Sequence, residues 1–299
     1  DGSDLPVKHR LFMTGTPRVF EKQPGTEDGE VRTMDDESLF GPEVFKMTYR
    51  EAADAGIVVP YKLVIYNRTN QYDDTRFQDI KASVDTSRVP REDAELLIAL
   101  HDMHKRNNVC KVFSFHPTIK DAKRFEERVN LLSQMLDIDV DATHISNKTP
   151  PVERQRILGD FRDAEKRNLT ILTNVRVLAT GVDVSDVDLV AISGVRQSHV
   201  DILQMAGRAS RTSEGKACGY VLVPLSESEL GEGSVNKIKH VIQALIEENE
   251  QLQKEIEAAK VTAGQTGTDI NIHVKEPLMK QIKFEGFKDG TDLSKLWNQ

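Results

Sequence analysis

"KVFSFHPTIKDAKRFEERVNLLSQML", residues 111–136, decides the fold. Its first five residues, Lys111 to Phe115, are mostly apolar, and their Val and Phe favour a strand. A His-Pro-Thr break follows. Then Ala122, Phe125, Val129, Leu132 and Leu136 recur at helical spacing, which predicts a helix over 119–136 with one apolar face. The same strand-then-helix alternation extends in both directions. Upstream lie a strand over 62–66 and a helix over 91–108, with Leu96, Leu97, Leu100 and Met103 on one side. Downstream lie strands at 141–146, 169–175, 187–193 and 217–225, and helices at 150–164 and 198–211. Pro150 and Pro151 open the first of these helices, where a missing N–H costs least. Strands alternating with helices of this length predict an α/β fold, a parallel sheet covered by helices on both faces.

The flanks have a different character. "HRLFMTGTP" (9–17) reads as a strand running into a tight turn, and Tyr49 to Ala55 as a short helix. Between them, 21–43 is acidic and rich in Gly and Pro, the composition of an exposed loop or hinge. After Pro224, residues 235–260 predict a long C-terminal helix. Ile238, Leu245 and Leu252 recur every seven residues, and Ile242, Asn249 and Ile256 do so four later. That seam fits either a short coiled coil, offering self-association, or an amphipathic helix packed on its own domain. The tail, 267–299, reads as the start of a further small unit.

Composition narrows the function classes. The net charge of −8 argues against a protein whose main task is coating nucleic acid. Any such contact must be local, or made by backbone N–H groups and hydroxyls. Cys110 and Cys218 are far apart and lack CxxC spacing, so no zinc or other metal site is expected, and a reducing, cytoplasmic compartment fits. No apolar run is long enough for a membrane span.

The chemistry lies in the loops after the strands, where parallel sheets bind ligands. Thr173 and Asn174 end one strand and offer a hydroxyl and an amide suited to a nucleic-acid phosphate. Gly181 lets backbone approach a ligand closely, and Asp183 could accept from a ribose hydroxyl. "QMAGRASR" (204–211) places Arg208 and Arg211 three residues apart, one helical turn, on the last helix or in its final turn. Guanidinium forks match a phosphoryl group well.

Taken in order, "VFSFHP", "HISNKTPPVERQRILGDF", "ILTNVRVLATGVDV" and "QMAGRASR" resemble the second RecA-like lobe of superfamily 2 helicases and translocases. "MTGTP" (13–17) resembles the motif that closes the first lobe, and residues 32–66 resemble the connection in helicases related to type I and type III restriction subunits. The resemblance covers about residues 9 to 225. It implies that Arg211 is an arginine finger at the γ-phosphate and Arg208 its partner. Gln204 and Gly207 would lie at the nucleotide with Gly181 and Asp183. Ser114, Phe115, Thr173, Asn174, and His144 or Ser146 would face nucleic acid, and Thr14 and Thr16 would couple the lobes. Plainer roles stand beside these: Phe115 as core, His116 as a turn-shaping residue, His144 as a surface group, Thr14 and Thr16 as turn caps.

A phosphoryl-transfer motor also needs a phosphate-cradling loop and an acidic strand end for Mg²⁺. Gly-x-x-x-x-Gly-Lys-[Ser/Thr] does not occur in the sequence; "EGKA" (214–217) is the nearest Gly-Lys. "MDDES" (34–38) resembles an acidic box in letters only, with no apolar strand before it. The expectation is therefore the C-terminal part of a longer ATP-dependent helicase or DNA translocase. Residues 1–59 would end lobe one and form a linker, 60–226 the second RecA-like domain, and 227–299 the long helix and an accessory segment. ATP and Mg²⁺ would be held mostly by the missing N-terminal lobe, DNA would be favoured over RNA, and the chain alone would hydrolyse no ATP. The alternative is a non-catalytic interaction or nucleic-acid-binding module working through 235–260.

Overall fold

The structure, a computed structural model, describes residues 9–14, 33–67, 91–136, 139–164, 168–175, 177–178, 184, 186–193, 199–225 and 282–285. The chain divides into two compact units, Asp1–Met47 and Thr48–Gln299. In the first, α1 (Glu37–Phe40) is a single turn whose Asp36 cap accepts from the Ser38 N–H at 3.0 Å. Phe12 meets Phe40 edge-on at 5.0 Å between ring centres. Residues 9–14 form no strand, and Leu11, Phe12 and Met13 are exposed. The apolar run predicted as a strand is not one, because an apolar run makes a strand only where a neighbour offers a ladder to join.

The second unit opens with α2 (Tyr49–Asp54), started by a capping box: Thr48 accepts from the Glu51 N–H while the Glu51 carboxylate accepts from the Thr48 N–H. Then come β1 (Tyr61–Asn67), α3 (Arg91–Asn107), β2 (Lys111–Phe115), α4 (Ile119–Leu136), β3 (Val140–His144) and α5 (Pro151–Asp163). They are followed by β4 (Leu169–Asn174), β5 (Leu189–Ile192), α6 (His199–Ala209), β6 (Gly219–Leu225) and β7 (Ile282–Glu285). The strands form one sheet in the order β3-β4-β2-β5-β6-β1-β7, every pair parallel. Six strands and their intervening helices stand within two residues of the sequence expectation. The seventh, β7, was not expected: the 267–299 tail contributes it to this sheet beside β1, paired over Leu63–Tyr66.

Every residue of β2 and of β5 is buried. Successive side chains point to opposite faces, so both faces of the sheet centre are covered. On one face, Val112, Leu189, Ala191 and Leu222 pack with Leu96, Leu97, Leu100 and Met103 of α3 and Phe125, Val129 and Leu132 of α4. On the other, Phe113 packs on Phe161 of α5 with ring centres 5.4 Å apart. The strand ends are tied by Asp188, whose carboxylate accepts from the N–H groups of Cys110 and Lys111, each at 2.9 Å.

Gly219 opens β6 directly beneath the end of α6. A Cβ there would sit 2.0 Å from the carbonyl oxygen of Ala209 and 2.6 Å from its carbonyl carbon. Backbone cannot swing aside as a side chain can. Gly219→Ala is expected to push the end of α6 off the sheet and to lower stability by about 1–3 kcal/mol, the usual overpacking cost. Chemical denaturation measures it; an unaltered midpoint would mean that the helix end shifts freely.

Candidate functional site

The C-terminal edges of β3, β4 and β2 bring three of the sequence-predicted segments side by side. Ser114 and Phe115 pair in register with Thr173 and Asn174, and His144 pairs with Thr173. Their side chains are turned into the lobe. Phe115 is 1% exposed and lies 6.5 Å from Phe113, so its ring serves the core rather than a surface. The Asn174 amide donates to the Ser114 carbonyl at 3.3 Å, and its oxygen accepts from the Leu178 N–H at 3.4 Å. Asn174 thereby stitches β4 to β2 and to the turn that follows it.

His116 caps β2. Its N–H donates to the Asn174 carbonyl at 2.8 Å, its Nε2 lies 2.9 Å from Ser114 Oγ, and its ring packs on Phe125. Burial pushes its pKa down from 6.5 to about 3, against the opposing pull of the Asp121 carboxylate. The neutral ring belongs to the fold's interior and does more than shape a turn. The unfolded chain binds the proton below pH 6.5 and the folded chain only near pH 3. The resulting stability is whole above pH 6.5 and drains as pH falls through that window. Between pH 7 and 5 the loss should be about 2 kcal/mol. Urea midpoints at those two pH values, compared with His116→Gln, measure it; the same loss in the variant would assign it to other groups.

His144 is 9% exposed. Its Nδ1 lies 3.1 Å from the Thr173 carbonyl, which can only accept, so Nδ1 carries the proton and Nε2 is a bare acceptor. That Nε2 is buried without a hydrogen-bond partner. Burial and the nearby Lys123 ammonium lower the His144 pKa. Ser146, also buried, sits in the turn before α5, where its carbonyl accepts from Arg154 at 3.2 Å and its hydroxyl from the Lys148 N–H at 3.3 Å. His144 is not the exposed surface group weighed above.

The second cluster is the end of α6. Gln204 is half-buried, Gly207 exposed, and Arg208 6% exposed. The helix stops at Ala209, so Arg211 lies beyond it in extended backbone, bridged antiparallel to Val58. The two arginines therefore do not share a helical face, since the helix ends between them. Arg208 is packed into the lobe, whereas Arg211 is half-buried outside the helix. Thr14 is exposed in the first unit. Thr16, Gly181, Asp183 and the 235–260 helix lie outside the described residues.

The sequence reading missed the roles of two lysines. Lys111, 2% exposed, pairs with Asp186 and donates to the Arg162 carbonyl. Its partners are distant in sequence, so no local signal marked it. Lys216, singled out in "EGKA" as a failed phosphate-loop lysine, donates instead to the carbonyls of Val187 at 2.6 Å and Arg211 at 3.0 Å. Among the described residues no cluster of His, Cys, Asp or Glu could hold a metal ion, and no helix is long and apolar enough to cross a membrane.

The helicase conserved C-terminal domain family matches residues 94–213, from the middle of the first α3 turns to the residues just past Arg211. A protein described as a probable helicase of African swine fever virus is 26% identical over 225 residues, 73% of this chain and 23% of its own length. UvrABC system protein B of Clostridium beijerinckii is 31% identical over 103 residues, 33% of this chain and 15% of its own. The chain thus spans less than a quarter of the length of these relatives. Among solved structures, the ATP-dependent Type ISP restriction-modification enzyme LlaBIII bound to DNA superposes with a TM-score of 0.63 at 21% identity, over 91% of this chain and 19% of that one. At that identity the likeness speaks for the fold. It agrees with the parallel sheet and its covering helices, and residues 94–213 match the helicase conserved C-terminal domain family.

Proposed function

We propose that this chain supplies the second RecA-like lobe of an ATP-dependent helicase or DNA translocase, with Arg211 directed at the γ-phosphate across an interlobe cleft and Arg208 holding the end of α6 that presents it. The observation that carries this reading is the separation of the two arginines: Arg208 is buried in the lobe, while Arg211 stands past the helix in bridged backbone. A fixed backbone at a half-buried arginine suits a group that must meet a phosphoryl oxygen in one orientation. ATP, once bound, supplies the free energy of phosphoryl transfer. The chain's residues fit the arginine side of that nucleotide and not its Mg²⁺ side, because the sequence has no phosphate loop.

Nucleic acid would run along the C-terminal edges of β2, β3 and β4. Ser114, Phe115, Thr173, Asn174, His144 and Ser146 are all buried, so these side chains hold the strand ends in place and contact would fall to the turns that follow them. That suits an acidic chain, because such contacts need no net positive charge. The restriction-type connection over 32–66 favours DNA over RNA.

Phosphate release from ATP by this chain, with and without DNA, tests the reading. No turnover is expected from the chain alone, and turnover is expected once the first lobe is added back. Turnover by the chain alone would mean that a complete phosphate site lies within it, and the half-motor reading would fail.

A further inference from the structure

Arg211 lies where α6 can no longer orient it. A helix leaves its last carbonyls unpaired and imposes nothing on the residues beyond them. The backbone of Ser210 and Arg211 is held instead by two other elements, neither of them part of the helicase motifs.

The first is the segment between α2 and β1. Val58 bridges Arg211, and the Val59 N–H donates to the Ser210 carbonyl at 2.8 Å. The Val59 carbonyl in turn accepts from the Tyr49 hydroxyl at 2.8 Å. One residue on, the Pro60 carbonyl accepts from the Gly219 N–H at 2.9 Å. Tyr49 is anchored by its ring, 5.2 Å from that of Tyr61, and by the capping box that starts α2. Burial pushes the Tyr49 phenol up to about 12, so it remains a donor at any working pH.

The second element is the turn before β6. Gly215, at φ +75°, lets the chain reverse, and the Lys216 N–H closes the turn on the Ser213 carbonyl at 3.1 Å. The Lys216 ammonium then spans two carbonyls, that of Arg211 and that of Val187 just ahead of β5. Hydrogen bonds from a charged donor are about twice as strong as neutral ones. Lys216 thus ties Arg211 to the sheet.

We propose that Tyr49 and Lys216 are positioning residues for Arg211, and that α2 and the 213–216 turn together set the direction in which its side chain leaves the lobe. The proposal rests on the reading of Arg211 as phosphate-directed. It gives the lysine of "EGKA" a role and makes α2 mechanically continuous with the arginine, since a shift of α2 reaches Ser210 through the Tyr49, Val59 and Ser210 hydrogen bonds.

Tyr49→Phe keeps the ring on Tyr61 and removes only the donor; Lys216→Met keeps the stem and removes the charge; Lys216→Arg restores a charged donor. Hydrogen exchange on this chain should show the Val59 amide exchanging about tenfold faster in Tyr49→Phe and Lys216→Met. In the protein carrying both lobes, kcat for ATP should fall about tenfold in each with KM unchanged, and Lys216→Arg should recover most of it. Unaltered Val59 exchange in both variants would overturn the proposal, and so would faster exchange with an unaltered kcat. Arg211→Ala measured alongside separates the two readings. Normal turnover in that variant sinks the phosphate-directed arginine, while the exchange data still judge the clamp.

Discussion

Arg211→Ala, made in the protein with both RecA-like lobes present, is expected to lower ATP turnover by about a thousandfold or more while nucleotide binding is largely kept. The expectation follows from when the interaction acts. A guanidinium that meets charge developing on the transferred phosphoryl group stabilises the transition state more than the bound nucleotide, so kcat falls and binding does not. Arg211→Lys should recover little, because an ammonium keeps the charge and loses the planar fork. Arg208→Ala should behave differently. Its side chain is buried, so its loss should lower stability and disturb the end of α6 along with turnover. Steady-state phosphate release and an equilibrium nucleotide titration on the three variants give the comparison. Unaltered turnover in Arg211→Ala would make the arginines structural and return the chain to the class of interaction modules.

The sheet and its helices were legible because the signals were local. β2 and α4 have the bounds that apolar spacing assigns over 111–136. α6 ends two residues earlier than its pattern suggests, since its last carbonyl comes to rest on Gly219, ten residues on. The 9–13 run failed as a strand because an apolar stretch says nothing of its ladder partner. β7 failed for the mirror reason: its partner, β1, is more than two hundred residues away in sequence.

The candidate site was legible by segment and not by side chain. The motifs placed Ser114, Thr173 and His144 on three separate strands, and the register shows those strands to be neighbours. Which way each side chain turns was hidden, because in a strand covered on both faces alternation carries no inside and outside. Phe115 therefore read as either contact or core and Asn174 as a contact, and both are interior groups. Arg208 and Arg211 read as one face for as long as the helix was taken to run through both. Tyr49 carried no motif at all; its role depends on Val59 and Ser210, which only the fold brings to it.

Lys111→Met should be the most destabilising single change, at about 3–5 kcal/mol, a large share of a domain's usual margin. The methionine replaces the buried stem, so little packing is lost. What is lost is the partner of Asp186, whose side chain is only 17% exposed and whose Oδ1 already lacks a hydrogen bond. The Arg162 carbonyl at the end of α5 loses its donor as well, and the Phe161 ring loses the ammonium 5.9 Å from its centre. An unpaired, largely buried carboxylate costs more than the intact pair contributes, because its desolvation is no longer offset. Removing both charges should therefore repair most of the damage, and Lys111→Met with Asp186→Leu is expected to unfold close to the unmodified chain. Urea unfolding of the two single variants and the double closes the cycle. A single variant within about 1 kcal/mol of the parent would show that Asp186 turns out to water when the lysine goes. A double variant as weak as Lys111→Met would place the cost in the lost tie to α5. The pair sits at the opposite end of β2 from Ser114 and His116, so a stability loss there with the Val59 amide still protected would also show that the sheet's base and the arginine-bearing end of α6 yield separately.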